Sequence, residues 1–293
     1  MMPGSGPQLS VVVPTCLRNV QLTSCLRRLA PGTQTLDPAR YQVIVTDDGT
    51  LENAEEMVRT YFPWARWAEG PRRGPAANRN AGARLARGEW IAFVDDDCLP
   101  DPDWLAAIER QSREPDTDAI EGITVCPDKS DNPLEEHVEN LDGGALWSCN
   151  LAVRRAVFEQ LGGFDEDYTE ACFEDLDLRW RLQRSGARLR FCTDVLVIHP
   201  KRVGTWRDLW RRTLRLRWTV LFRLKTGAST GAGTEACLNL LRITVQAVRD
   251  RKPALWKRRT FTIAWLWLTF PVVLPYLLFW QRRFRHLLER RKV

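Results

Sequence analysis

No two of the eight cysteines form a C-x-x-C pair, and none stands beside a histidine at zinc-ligand spacing. A structural zinc site is therefore unsupported. The N-terminus carries no secretory signal, so reduced cytosolic thiols are expected rather than a disulfide framework. The opening MMPGSGPQ reads as a short disordered lead. Neither G-x-x-x-x-G-K-[ST] nor G-x-G-x-x-G occurs, which leaves a P-loop and a dinucleotide fingerprint without support. Acid is scarce towards the C-terminus: residues 201–293 hold 4 acidic residues against 22 basic ones. Charge of either sign is missing altogether from Thr260 to Trp280.

These gaps divide the chain. Residues 1–200 carry a net charge of −12 and residues 201–293 one of +18. The first part reads as a catalytic-type domain and the second as a basic helical appendage, with the boundary at residue 200. Seven of the thirteen tryptophans lie in the appendage. Basic charge mixed with tryptophan points to a membrane surface, with nucleic acid as the competing partner. Thr205–Lys225 places Trp206, Leu209, Trp210, Leu214, Trp218 and Leu221 along one helical face. Such a helix suits a membrane interface, and packing on the domain is the plainer alternative. TGASTGAGT then reads as a flexible break.

The uncharged stretch Thr260–Trp280 would span about 31 Å as a helix, close to the hydrocarbon thickness of a bilayer. Pro271 and Pro275 interrupt it, and both flanks are basic: Lys257, Arg258 and Arg259 before, Arg282, Arg283 and Arg285 after. Charge on both sides removes the usual orientation signal. A re-entrant hairpin bent at the prolines fits at least as well as one span, with a buried soluble helix as the plain reading.

The N-terminal part alternates. LSVVVPT, YQVIVTDDG and EWIAFVDDD read as strands; VQLTSCLRRLA, LENAEEMVRTYF and GPAANRNAGARLARG read as helices. DPDWLAAIERQSR follows as a helix, with Asp101 as the expected N-cap and Pro102 at the first helical position. AIEGITV, the start of LWSCNLAVRRAVFEQLGGF and RLRFCTDVLVIHP complete the strands, and FEDLDLRWRLQRSG is a helix stopped by Gly186. This order marks an α/β domain, in which ligands gather at the carboxyl ends of the strands. Pro14-Thr15, Asp47-Asp48 and Asp95-Asp96-Asp97 all fall there. Asp48-Gly49 alone would be ordinary turn chemistry. Three aspartates in a row repel one another and need a reason, such as a divalent cation that takes oxygen ligands and shares phosphate oxygens.

The segments VVVPT, VTDDGT, GPAANRNAGARLARGEWIAFVDDD, CNLAVRRAVFEQLGGFDE and FEDLDLRWRLQRSG together resemble the family 2 glycosyltransferases, from about Leu9 to Pro200. The resemblance implies a GT-A fold, a Rossmann-like mixed sheet flanked by helices. It also implies inverting transfer of a sugar from a nucleoside-diphosphate sugar to an acceptor hydroxyl. By that match Pro14, Thr15, Asp47 and Asp48 would line the nucleoside pocket, and Arg79 and Asn80 would close over the nucleotide. Asp95, Asp96 and Asp97 match the D-x-D motif, with Asp95 facing the ribose or sugar and Asp97 the main ligand of Mg2+ or Mn2+. His199 matches a position touching metal or diphosphate. Glu174 and Asp175 match the E-D pair, whose aspartate is the general base. No Q-x-x-R-W motif follows that pair, and several membrane spans are lacking, which favours transfer of one or a few sugars over polymer export.

The expectation is thus a metal-dependent glycosyltransferase at the cytoplasmic face of a membrane, acting on a lipid-linked or polysaccharide-precursor acceptor and not on nucleic acid. A nucleotidyltransferase with a similar acidic site is one alternative. A non-catalytic protein that binds membrane or nucleic acid is the other.

Overall fold

LSVVVPT is buried along its whole length, as a strand covered on both faces must be. It forms β1 (Leu9–Thr15) at the middle of the sheet in the computed structural model, which describes residues 7–228 and 256–290. Side chains of the last helix are described from Thr260. Most of the N-terminal lead, two thirds of the TGASTGAGT break, Cys237 and the side chains of Lys257, Arg258 and Arg259 lie outside the described residues. The seven described cysteines are free thiols.

β1 pairs in parallel with β2 (Tyr41–Asp47) and β4 (Trp90–Phe93), and β2 with β3 (Ala65–Glu69). β8 (Leu151–Arg154) runs antiparallel to β4, and β6 (Ala119–Val125) antiparallel to β8. β9 (Leu189–Ile198) is parallel to β6, and the short β5 (Leu99–Pro100) closes the edge antiparallel to β9. The order β3-β2-β1-β4-β8-β6-β9-β5 makes a mixed sheet whose parallel half carries Pro14-Thr15, Asp47-Asp48 and Asp95 to Asp97 at its strand ends.

Alternation along β1 and β2 builds two cores. Val11, Val13, Val43 and Val45 face one layer, packed with α1 (Asn19–Leu29), α2 (Glu55–Tyr61) and α4 (Trp104–Ser112). Val12 and Ile44 face the other, with α3 (Pro75–Arg84), α5 (Arg155–Gln160) and α6 (Glu174–Arg184). Phe93, Phe158 and Phe164 meet there at centroid distances of 5.2–5.6 Å. α3 can lie on β1 because Gly82 has no side chain: a Cβ would stand 2.4 Å from Val12 Cγ1.

Two details differ from the sequence expectation. β3 was hidden, since ARWAE alternates charge with apolar residues at a sheet edge and has no β-branched run. α4 begins at Trp104 with Asp103 at its N-cap, because Asp101 turns the chain first, accepting the Asp103 N–H at 3.0 Å.

The chain divides into two compact units. One holds the described residues to Pro127 together with His137–Pro200; the other holds Asp128–Glu136 and the described residues from Lys201 on. In the second, β7 (Glu135–Glu136) pairs antiparallel with β10 (Arg202–Val203), so the loop segment 128–136 belongs with the basic tail. The expected helix over 205–225 is two, α7 (Trp206–Leu214) and α8 (Arg217–Thr226). Thr205 and Asp208 form a capping box on α7. The helix we label α9 (Trp256–Arg290) runs unbroken through Pro271 and Pro275, so the prolines do not mark the bend of a hairpin. The tryptophan stripe is only partly buried: Trp218 is enclosed, while Trp206 stays 57% exposed. Trp206 and Trp210 lie 5.9 and 6.1 Å from Trp265 of α9, and Trp218 stacks on Phe284 at 5.8 Å. Arg217 reaches between the Trp218 and Trp280 rings and donates to Tyr276 Oη at 2.9 Å.

Candidate active site

The site forms where β4 stops pairing and β1 and β2 continue. β1 pairs with β4 only as far as Val12–Phe93 but with β2 to Thr15–Asp47. Val12 O accepts from Val94 and Thr15 O from Asp48, so alternation turns the Pro14 nitrogen to the β4 side, where the ladder has ended. A residue without an N–H costs nothing there. The chain leaving β4 is free to turn through Asp95, Asp96 and Asp97.

These three acids are separated by their partners. Asp96 is buried; it accepts from Thr15 Oγ1 at 2.7 Å and from Arg18 Nη1 at 3.1 Å. Burial pushes its carboxyl up to about 6. Asp95 turns the other way and accepts from Arg79 Nη2 at 2.7 Å. Asp97 shares its two oxygens: Oδ2 accepts from Arg18 Nη1 at 3.0 Å, and Oδ1 lies 3.5 Å from His199 Nε2.

His199 ends β9 with its backbone N–H held by Val125 O at 2.8 Å. Its ring is buried, Nδ1 lies 2.9 Å from Pro200 O, and Nε2 has no hydrogen-bond partner. With the proton on Nδ1, the Nε2 lone pair faces a carboxylate oxygen. A cation between them would resolve that contact, and two ligands at right angles on Mg2+ lie about 3 Å apart. Asp97 and His199 therefore fit a hard divalent ion. Cys98 has a possible ligand atom near the same pair, but burial holds its thiol well above its ordinary pKa, and it hydrogen-bonds with Cys149. A protonated thiol is a poor ligand for a hard ion.

Glu174 and Asp175 open α6. The preceding Phe173 has φ 73°, a left-handed conformation that an aromatic residue rarely adopts. That twist aims the pair across the sheet end. Glu174 is buried and accepts from Arg79 Nη1 at 3.0 Å. Its carboxyl is pushed up to about 7, by burial first and the Asp175 charge second. Asp175 is raised too, by burial first, with Arg79 opposing and Asp95 adding repulsion. Its Oδ1 is enclosed without a hydrogen-bond partner, and Ser148 faces the carboxylate. Arg79 is thus a buried tie between Asp95, after β4, and Glu174 of the E-D pair, capped by the Phe164 ring at 5.6 Å.

Some expected ligand residues also hold scaffold. Both Asp47 oxygens accept backbone N–H groups, Gly49 at 2.7 Å and Ala54 at 2.6 Å, which fixes the loop after β2. Asn80 donates to Phe164 O and accepts from Phe164 N, both at 2.8 Å. Asp48 stays half-buried at the strand end, held by the Arg72 N–H at 2.8 Å, and burial raises its carboxyl. A Cβ on Gly70 would meet Asp48 Oδ1 at 2.2 Å and Asn78 Oδ1 at 2.6 Å, so only glycine packs this closely against the end of β2.

Sequence reasoning missed four residues. Arg18 neutralises Asp96 and Asp97. Asn78 donates to Thr15 O and Thr46 O at 3.1 and 3.0 Å, clamping β1 to β2. Buried Glu121 accepts three successive amides, Gly144, Ala145 and Leu146, at 2.5–2.7 Å. Asn150 bridges Trp104 Nε1 to the carbonyls of Ile123 and Val195 at 2.9–3.0 Å. Asn78 stood beside Arg79 in the quoted NRN run, and Asn150 follows Cys149 in the quoted CN pair. Arg18 and Glu121 gave no local pattern.

Residues 10–162 match the model of glycosyl transferase family 2, and residues 90–285 that of glycosyl transferase family group 2. Over 221 residues the chain is 30% identical to the pre-mycofactocin glycosyltransferase of Mycobacterium tuberculosis, covering 68% of this chain and 45% of that one. It is 29% identical to the validoxylamine A glucosyltransferase of Streptomyces hygroscopicus subsp. limoneus, over 63% of this chain and 50% of the relative. The chain thus spans about half the length of these curated relatives. In fold it is similar to a mannosyltransferase from Pyrobaculum calidifontis solved with GDP-Man and Mn2+, with a TM-score of 0.55 at 20% identity over 93% of this chain and 73% of that one.

Proposed function

The chain belongs to glycosyl transferase family 2, and from that premise we propose that it moves a sugar from a nucleoside-diphosphate sugar to an acceptor hydroxyl, inverting the anomeric carbon. The observation that carries the proposal is the pair of clusters at the sheet end: Asp97 beside His199, and Asp95 tied to Glu174, next to Asp175, through the buried Arg79. The half-buried Asp48 at the end of β2 offers its carboxylate to the nucleoside. Asp97 and His199 hold Mg2+ or Mn2+, which when bound offsets the charge gathering on the departing diphosphate. Asp175 takes the proton of the acceptor hydroxyl as it attacks; its raised proton affinity suits that work. Glu174, kept near neutrality, spares Asp175 a second full charge beside it. The relatives act on validoxylamine A or a mycofactocin precursor, and the fold neighbour holds GDP-Man, which supports a nucleotide-sugar donor.

The basic unit then serves at a membrane, where a lipid-linked acceptor is met. α9 is the one described helix long and apolar enough to cross a bilayer. Leu268, Val272 and Phe279 stand exposed on it. The test is binding of a nucleotide-sugar panel with Mn2+, followed by thermal shift. One member should raise the midpoint only with metal present; no metal-dependent shift across the panel would count against the reading.

A further inference from the structure

We propose that Arg18 is a tethered counter-cation, held by Asp96 and Asp97, that competes with the metal for Asp97, so that metal binding waits on the nucleotide; the inference rests on the reading of Asp97 as a metal ligand. One guanidinium nitrogen, Nη1, sits 3.1 Å from Asp96 Oδ1 and 3.0 Å from Asp97 Oδ2. The two carboxylates are enclosed, while the Arg18 side chain is 43% exposed. It can leave towards solvent; they cannot follow.

Arg18 is the N-cap of α1, where the helix dipole disfavours positive charge, and its side chain caps nothing. The residue before it, Leu17, has φ 56°, a left-handed strain that delivers the backbone to this spot. The compensation comes from the two acids. Asp97 meanwhile keeps its other oxygen towards the unpartnered His199 Nε2. The pocket is therefore half-neutralised by Arg18 and half-prepared for an ion.

A divalent ion on Asp97 would lie within a few ångströms of the guanidinium. Like charges at that range repel, and the ion must also break the Arg18–Asp97 pair. A diphosphate brings negative charge that can take Arg18 over. Metal and nucleotide then assist one another, and by linkage the assistance is mutual.

The experiment is Mn2+ binding to the full chain by electron paramagnetic resonance, alone and with saturating UDP or GDP. Arg18→Gln should bind Mn2+ alone roughly tenfold tighter than the wild type, and the gain on adding nucleotide should shrink by a similar factor. Arg18→Lys should stay near the wild type, since it keeps the charge. Unchanged or weaker Mn2+ binding in Arg18→Gln, or an undiminished nucleotide gain, overturns the proposal. The metal reading itself is checked by Asp97→Asn. If that variant binds Mn2+ like the wild type, Asp97 is no ligand and the inference falls with it. If Asp97→Asn loses Mn2+ but Arg18→Gln matches the wild type, only the inference falls.

Discussion

Glu174 shows how a single buried carboxyl ties chemistry to stability. Its folded pKa, about 7, lies above its ordinary 4.5. A group that holds its proton more tightly when folded carries no penalty below the ordinary value. The penalty grows as pH rises between the two and is complete above the folded value. Glu174→Gln keeps an acceptor for Arg79 and removes that titration. Its melting midpoint relative to wild type should therefore rise from about pH 5 to about pH 8. A difference that stays flat, or falls, would mean that Glu174 ionises freely. At the metal pair, His199→Ala should weaken Mn2+ binding about tenfold or more and also lower the melting midpoint without metal, because the ring is buried and its Nδ1 contact with Pro200 O is lost. Isothermal titration alongside thermal unfolding separates the two effects.

Loops between elements carry the precision of the site. Glu121 on β6 gathers the amides of residues 144–146, just ahead of Ser148 beside Asp175. Glu121→Gln trades a charged acceptor for a neutral one and sets an amide NH2 against the backbone donors. It should cost about 2–3 kcal/mol in denaturant unfolding and slow transfer. Gly74 is a stricter case. Its φ is 96°, and a Cβ would stand 2.3 Å from Thr169 O, so Gly74→Ala should destabilise by about 2 kcal/mol or more.

These loops also mark how far the sequence could be read. The long strands and helices of the first unit were legible, because apolar runs and helical spacing report burial directly. The acids at the strand ends were legible as a group. Their division of labour was not, since it depends on which oxygen meets Thr15, Arg18 or Arg79 from 16 to 81 residues away. Asp47 and Asn80 matched a pattern of ligand residues, yet their side chains are spent on backbone groups that only folding brings near. The two-residue strands β5, β7 and β10 are too short for any period to show.

At the scale of the molecule, charge and apolar surface are sorted between an acidic sheet unit and a basic helical one. In the second unit the tryptophans of α7 and α8 contact α9, although Trp206 stays exposed. Exposed apolar residues of α9 include Leu268 at 74% and Phe279 at 56%, the face that the proposed membrane role would use. Placing Asp at both positions should cost about 2–3 kcal/mol each if they enter hydrocarbon. Flotation with anionic vesicles should then fall sharply, while the nucleotide-dependent thermal shift persists. Undiminished flotation would remove α9 from the membrane account.

The central claim is transfer of a sugar with release of a nucleoside diphosphate. The most direct measurement is product analysis of the purified full chain with Mn2+, a nucleotide sugar that it binds and a membrane lipid extract. The account predicts a nucleoside diphosphate and a glycosylated product of inverted anomeric configuration, lost in both Asp97→Asn and Asp175→Asn. Pyrophosphate as the leaving product, or undiminished transfer in Asp175→Asn, would contradict it.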